Sequence, residues 1–304
     1  MKAAYTEAAG GPELVKVGEL PTPDPADDEI LVRNHAAGVG PWDWKMLAGR
    51  WGQLSFPNIP GFEFAGVVEK APNSSGFAAG DEVWGRSSHA YAEYVIADPT
   101  GTVPKPANIS FEAAAALVIG ATTAYEGLVT RVKLEPGETV LVTAASGGVG
   151  TAAVQIAKAH GARVIGVSSA ANFDLVRGLG ADEVFGYSDP AWTDKVLESA
   201  PGGVDVLFDA IGHETGQESL KALRDGGRGA FIAFPNPDYE GEGRGIEGHS
   251  FSAKTSKGEL TAINRLIEDG KLRAEVQTRP LDQAREALED NQKGHTRGKV
   301  VLQT

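Results

Sequence analysis

The chain of 304 residues contains no cysteine. That excludes disulfides, a thiolate zinc site and a cysteine nucleophile, and it is compatible with a cytoplasmic protein as well as an exported one. Positive charge is also short: 28 Lys and Arg stand against 41 Asp and Glu, a net charge of −13. General nucleic-acid affinity depends on neutralising phosphates, so no nucleic-acid partner is expected, although a local basic patch around a small phosphate remains compatible. Long apolar runs are missing as well. The longest, near Ala113–Ala121, reads as too short and too Ala-rich to span a bilayer, and Met1-Lys-Ala-Ala-Tyr-Thr-Glu lacks the apolar core of a signal peptide. The expectation is a soluble cytoplasmic protein with no membrane partner. What remains, 41% hydrophobic and 23% charged residues, is ordinary for a globular protein, and the length suggests about two domains.

One stretch organises the rest. Thr139 to Thr143 is a short β-branched run suited to a buried parallel strand. The turn Ser146-Gly147-Gly148-Val149-Gly150 follows, then apolar residues at helical spacing, Val149, Ala153, Ile156 and Ala157, with Gly161 placed to end the helix. Val164 to Val167 closes a strand–turn–helix–strand unit. Glycines allow the tight turn and let backbone N–H groups approach a pyrophosphate at the positive end of the helix. A lone glycine pattern is weak evidence, but a complete βαβ unit is the context that the dinucleotide fingerprint demands.

Residues 1 to about 106 read as short β runs with dense turn punctuation: Ile30–Arg33, Phe64–Glu69, Gly80–Arg86 and Tyr91–Ala97. This is an antiparallel, barrel-like β domain. Ser110 caps a helix through Glu112–Leu117, and Thr122–Thr130 reads as a second helical segment. Beyond the glycine unit, helices 172–179, 193–199 and 217–223 alternate with strands 183–185, 204–208 and 229–233, which predicts a doubly wound parallel sheet. Residues 235–250 form a polar, glycine-rich loop; helices 260–269 and 281–292 and a strand 299–303 end the chain.

The order and spacing of several stretches resemble a zinc-free medium-chain dehydrogenase/reductase of the zeta-crystallin-like quinone oxidoreductase branch. These are Ala36–Lys45, Ile59–Val68, Ala79–Gly85, Tyr91–Val95, Thr123–Tyr125, Ala144–Gly150 and Gly294–Leu302. The resemblance spans nearly the whole chain. It implies a GroES-like β-barrel domain at 1–120 and 262–304 around an inserted Rossmann domain at 121–261. Zinc enzymes of the superfamily carry Gly-His-Glu where this chain has Gly61-Phe62-Glu63, with a cysteine ligand upstream; Phe62 cannot ligate a metal. Without a Lewis acid, hydride transfer needs an acceptor that is already electron-poor, a quinone or an α,β-unsaturated carbonyl.

On that resemblance Ala145, Ser146, Gly147, Gly148, Val149 and Gly150 hold the pyrophosphate. An acid about 20 residues on would select NADH; Ser168-Ser169-Ala170-Ala171-Asn172 stands there instead, so Ser168, Ser169 and Asn172, with Tyr187, favour NADPH. Relatives usually place Arg or Lys in this stretch and Ala170-Ala171 supplies neither; Arg177 reads as solvent-facing. Gly40 replaces an expected Asn near the nicotinamide ribose. Thr123 matches a threonine near the nicotinamide, or is a helix N-terminal hydroxyl. Ala210, Ile211, Gly212 and Phe234 flank the nicotinamide with main chain, and Arg297 belongs to a C-terminal motif with His295 and Lys299 that contacts ligand or is merely exposed.

Asp43 and Lys45 sit in a loop, either orienting a substrate carbonyl and relaying a proton or forming a salt bridge that fixes the β domain. Trp42, Trp44, Trp51, Phe62 and Trp84 either line an apolar acceptor pocket or are plain core, and His89 in a loop beside them reads as structural. The resulting expectation is an NADPH-dependent, zinc-independent reductase of quinones or enones. The alternatives are an enoyl-thioester reductase and an NADPH-binding crystallin-like protein with little turnover. A sheet-edge strand near Ile246–Ala253 is expected to pair across a two-fold axis in a homodimer.

Overall fold

The computed structural model describes residues 1–49, 54–240, 243–294 and 296–304. Trp51 and His295 lie outside them. Contacts divide the chain into two units, the first Met1–Ile119, Thr255–Glu268 and Arg273–Thr304, the second Gly120–Lys254 and Asp269–Leu272.

The first unit opens with β1 (Lys2–Tyr5) and β2 (Lys16–Glu19), an antiparallel pair. Next comes β3 (Ile30–Val39), whose ten residues alternate only weakly because it is buried along most of its length. Helix α1 (Pro41–Leu47) follows at once, where the sequence suggested a loop. Pro41 at its first turn has the φ a helix requires and no N–H to leave unsatisfied, and Asp43 supplies the capping contact described below. Then come β4 (Glu63–Lys70), β5 (Glu82–Arg86), β6 (Tyr94–Ala97) and β7 (Thr102–Pro104).

Helix α2 (Phe111–Tyr125) begins with Ser110 Oγ accepting from Ala113 N at 3.2 Å. It does not break before Thr122. It continues into a π-helical turn, Glu126–Arg131, where Val132 N bonds Gly127 O at 3.1 Å. The continuous helix, Phe111–Arg131, is long and apolar enough to cross a membrane by length and composition, with mean hydropathy 1.3. Most of that apolar stretch is instead buried inside the protein. A Cβ on Gly127 would lie 2.7 Å from the Phe208 ring, so glycine lets the helix lie directly on the sheet.

In the second unit, β8 (Thr139–Val142), α3 (Gly150–Ala159) and β9 (Arg163–Ser168) form the predicted strand–turn–helix–strand. There follow α4 (Phe173–Gly178), β10 (Glu183–Gly186), α5 (Trp192–Ser199), β11 (Val204–Asp209), α6 (His213–Ser219), β12 (Leu223–Phe231) and β13 (Glu247–Ser250). The six strands are all parallel, in the order β10-β9-β8-β11-β12-β13, the doubly wound sheet expected. Helix α6 starts four residues earlier than its apolar spacing suggested, because Gly212 at φ 65 lets the chain turn off β11 immediately. The polar loop contains β13, the terminal strand of the sheet.

The chain returns to the first unit with α7 (Lys257–Glu268), β14 (Val276–Pro280), α8 (Ala284–Gln292) and β15 (Lys299–Gln303). The first-unit sheet runs β14-β15-β3-β4-β5-β7, with β6 also on β3. Two registers matter for function: β3 on β4 sets Gly38 opposite Glu63, and β15 on β3 sets Val300 opposite Val39. Lys299 is therefore carried next to Gly40.

Candidate functional site

The glycine turn of the second unit is held by its own backbone. Ala144 adopts φ 49, a left-handed conformation costly for a residue with a side chain. This aims its carbonyl into the turn, where it accepts from Gly147 N at 2.9 Å. A Cβ on Gly150 would overlap that same carbonyl, and one on Gly120 would lie 2.7 Å from Gly148 O. Ala145 N bonds Val167 O at 3.0 Å, tying the turn to β9. Helix α3 then begins at Gly150 with no side-chain cap on its first turn. An uncapped helix end behind a turn with no room for side chains fits a pyrophosphate.

At the end of β9 the uncharged cluster is assembled by Asn172. Its Nδ2 donates to Ser146 Oγ and to Ser169 Oγ, both at 3.1 Å. Each serine oxygen thus accepts one bond and keeps its own O–H to donate. Ser168 Oγ instead donates to Ser169 O at 3.1 Å. The register of β10 on β9 sets Gly186 opposite Ser168, and Tyr187, 45% exposed, follows at the end of β10. Asp174, the first acid after the strand, is fully exposed and pairs with Arg177 at 3.5 Å. Arg177 faces solvent, as its spacing indicated, and lies over the Phe173 ring.

Asp209 is the residue here that the sequence did not single out. Fully buried, it accepts from Thr143 Oγ1 at 2.6 Å and from Gly212 N at 3.0 Å, while Ala210 N donates to Thr143 Oγ1 at 2.9 Å. Burial pushes its carboxyl above the usual range, against the pull of these donors. The pair fixes the main chain of Ala210, Ile211 and Gly212 at the carboxyl end of β11. Gly212 also approaches Pro235 O too closely for a side chain, which laces this loop to the one after β12. Ile211 and Phe234 project from these loops, 36% and 60% exposed. A buried acid at a strand's carboxyl end was the available signal for Asp209.

Thr123 lies in the last turns of α2, not at a helix start, and is buried. Arg297 is exposed, and its carbonyl accepts from Gln277 Nε2 at 2.7 Å.

In the first unit, Asp43 and Lys45 part company. Lys45 leans its ammonium over the Trp44 ring, 5.4 Å from the centroid. Asp43 turns inward: its Oδ2 accepts from Gly40 N at 2.6 Å and from Tyr91 Oη at 2.7 Å. Among the described residues, neither forms the loop salt bridge considered from sequence. Burial pushes the Asp43 carboxyl up to about 7, opposed first by the Gly40 N–H and then by Lys299 and Tyr91. Burial, then Asp43, holds the Tyr91 hydroxyl well above its ordinary value. Beside them Lys299 Nζ stands 2.6 Å from Glu63 Oε2, with side chains 12% and 2% exposed. Glu63 and Tyr91 were missed because their partners lie far along the chain.

Of the aromatics read as either pocket wall or core, Trp84 and Trp44 fall on the core side. Trp84 is fully buried in the core, its indole N–H bonded to Asn264 Oδ1 at 3.1 Å, and Trp44 packs on the barrel core with its N–H on Asn291 Oδ1. Phe62 lies under the Arg86 guanidinium, and Trp42 is 40% exposed. His89, at φ 65, lines a separate first-unit cavity of about 540 Å³ with Arg86, Tyr94 and Asp98. Among the described residues, no three His, Cys, Asp or Glu gather to hold a metal ion.

Residues 26–107 match the alcohol dehydrogenase GroES-like domain family, and residues 148–252 the zinc-binding dehydrogenase family. The quinone oxidoreductase of Mus musculus is 33% identical, over 99% of this chain and 97% of its own length. The chloroplastic NADPH-dependent alkenal/one oxidoreductase of Arabidopsis thaliana is 31% identical, over 99% of this chain and 79% of its own. Among solved structures, an NAD-dependent alcohol dehydrogenase superposes with a TM-score of 0.93 at 33% identity, covering 100% of both chains. The quinone oxidoreductase from Coxiella burnetii gives 0.89 at 28% identity, covering 100% of this chain and 99% of its own. A GroES-like β domain with a doubly wound dinucleotide domain inserted in its sequence is the architecture of a two-domain pyridine-nucleotide oxidoreductase. The chain belongs to the medium-chain dehydrogenase/reductase family, in its quinone oxidoreductase branch.

Proposed function

We propose that this protein is an NADPH-dependent reductase of quinones or α,β-unsaturated carbonyls that works without zinc. The observation that carries the coenzyme choice is the Asn172 arrangement: two serine hydroxyls kept free to donate, with the first acid after the strand turned to solvent. A 2′-phosphate is purely an acceptor and matches donors, whereas a ribose diol is best held by a carboxylate. When bound, the reduced nicotinamide supplies a hydride to an electron-poor carbon. The protein's own residues hold the pyrophosphate on the Gly147–Gly150 turn and fix the 210–212 main chain through Asp209 and Thr143. Phe62 in place of a histidine and the cysteine-free composition support a zinc-independent reaction. The names of the mouse and Arabidopsis relatives support the acceptor class.

The test is a fluorescence titration with NADPH and NADH, followed by addition of 1,4-benzoquinone in the presence of a chelator. Tighter binding of NADPH and loss of its absorbance are expected. No affinity for either nucleotide, or turnover only with an added divalent ion, overturns the reading. The reading extends to a homodimer through β13, which ends the six-stranded sheet with its outer edge unpaired among the described residues; the mass in solution tests it.

A further inference from the structure

Lys299 begins β15, where an exposed side chain would be unremarked, yet its ammonium is turned into the first unit and only 12% exposed. It lies 2.6 Å from Glu63 Oε2 but off the hydrogen-bonding angles, so that buried oxygen receives no directed donor. The other oxygen of Glu63 is taken by Ile119 N at 2.8 Å. Among the described residues, Lys299 Nζ donates no hydrogen bond to the protein, although it carries three N–H groups. The contact with Glu63 is a close ion pair, and the ammonium's remaining N–H groups have no other partner among the described residues.

Gly40 explains where they point. Its backbone, φ −137 and ψ 168, is extended and open to any residue. Conformation therefore does not require glycine here; space does. A Cβ at this position would stand 3.2 Å from Lys299 Nζ and 3.9 Å from Asp43 Oδ2. The missing side chain leaves space directly beside an ammonium that is otherwise largely enclosed.

We propose that Lys299 Nζ is the cationic hydrogen-bond donor to the carbonyl oxygen of the acceptor, reached across the bare Gly40 backbone, with Glu63 and Asp43 as positioning residues that hold the ammonium in place. The proposal rests on the reductase reading above. Addition of a hydride from the reduced coenzyme, which is thereby oxidised, forms a C–H bond at the electron-poor carbon and drives the π pair onto the oxygen. That oxygen gains negative charge facing a fixed ammonium and then takes its proton from water, while Lys299 keeps its own. Removing one such donor typically costs about 100-fold or more in rate. The groups that set the local field are Glu63 on β4, Asp43 on α1 and Tyr91, with Asp43 ionised only above about pH 7.

The test uses 4-nitrophenol as a mimic of the acceptor oxygen, titrated spectrally on the coenzyme-free protein. The wild type should favour phenolate over phenol by about tenfold or more, lowering the pKa of the bound phenol by at least about one unit. Lys299→Met should abolish the preference and Lys299→Arg should recover most of it. Should Lys299→Met fail to fold because Glu63 is left unpaired, Gly40→Val reads the same effect with the ion pair intact, by covering the ammonium. No phenolate preference in the wild type, or an unchanged preference in Gly40→Val, overturns the proposal. So does a loss of NADPH affinity beyond about tenfold in Gly40→Val, which would assign Lys299 to the coenzyme. Absence of NADPH binding in the wild type defeats the reductase reading alone, since the phenolate measurement needs no coenzyme.

Discussion

In the second unit the candidate nucleotide site is made of backbone and uncharged side chains, Ala144 to Gly150 with Ser146, Ser169 and Asn172. In the first unit a corner of sheet and helix buries Asp43, Glu63 and Lys299 together with Tyr91. The first arrangement works by shape. Its donors cost nothing to keep in place and do not titrate in the physiological range. The second works by charge, with its members buried within reach of one another. Burying an isolated ion costs several kcal/mol, which is why the Asp43 carboxyl is pushed up to about 7 while Glu63 keeps an ammonium beside it. A shape-based site should break through sterics and be indifferent to pH; a charge-based site should do the reverse.

The strongest way to break the comparison is at Gly150. Valine there forces its Cβ into the Ala144 carbonyl, which is backbone and cannot move aside. Loss of NADPH binding by more than about 100-fold is expected, with overpacking strain of about 3 kcal/mol or more in thermal unfolding. Gly147→Ala is the control: its Cβ would meet the same carbonyl at 3.3 Å, and a change of a few-fold is expected. Equal effects at both positions would mean that the turn is not held as described.

Asp43 tests the other side. Its folded-state value of about 7 lies above the ordinary 3.8, so its contribution to stability is complete below about pH 4 and is lost as pH rises through about 7. Three units correspond to about 4 kcal/mol. Asp43→Asn keeps an acceptor for Gly40 N and Tyr91 Oη without the charge. The difference in unfolding free energy between variant and wild type should therefore move in the variant's favour by several kcal/mol between pH 4 and pH 8. Parallel curves across that range would show that Asp43 is ionised at little cost.

The same contrast explains what could be read from the chain. The nucleotide turn occupies consecutive residues, and its glycines are dictated by local sterics, so Gly147, Gly148 and Gly150 announce themselves in a strand–turn–helix pattern. The parallel sheet was legible from alternating periodicity, and β15 from its apolar run. The first-unit cluster joins residues 43, 63, 91 and 299, brought together by strand registers that no local pattern encodes. Trp84 was taken as a possible pocket wall because composition cannot tell a lining aromatic from a core one. Helix α1 was read as a loop because Gly40-Pro41 looks like a turn signal, and Asp43, which caps it, was read as a substrate-orienting group or half of a loop salt bridge.

Asp209 offers a smaller effect, because it is buried but serves only as an anchor. Asp209→Asn turns an N–H toward donors that now face a carboxylate, either Thr143 Oγ1 or Gly212 N. A loss of about 2 kcal/mol in stability is expected. With it should come weaker binding of the nicotinamide half, read by comparing NADPH with a nucleotide that ends at the adenosine 2′-phosphate. If both weaken equally, Asp209 supports the whole unit and not the 210–212 main chain.

The smallest expected effect falls on Asn172, and it sharpens the distinction most. If the 2′-phosphate is recognised by hydroxyl donors alone, affinity is built from hydrogen bonds to a charged acceptor of about 1.5–3 kcal/mol each. Ser169→Ala should then cost NADPH about tenfold and leave NADH almost untouched. Asn172→Asp goes further, because the new carboxylate would repel the phosphate and accept from a ribose diol, and the NADPH to NADH affinity ratio should fall by about tenfold or more. That shift should weaken as salt is raised, since it depends on unshielded charge in a partly exposed cluster. An unchanged ratio in Asn172→Asp would place coenzyme discrimination elsewhere, with Arg177 and Tyr187 the next side chains to examine.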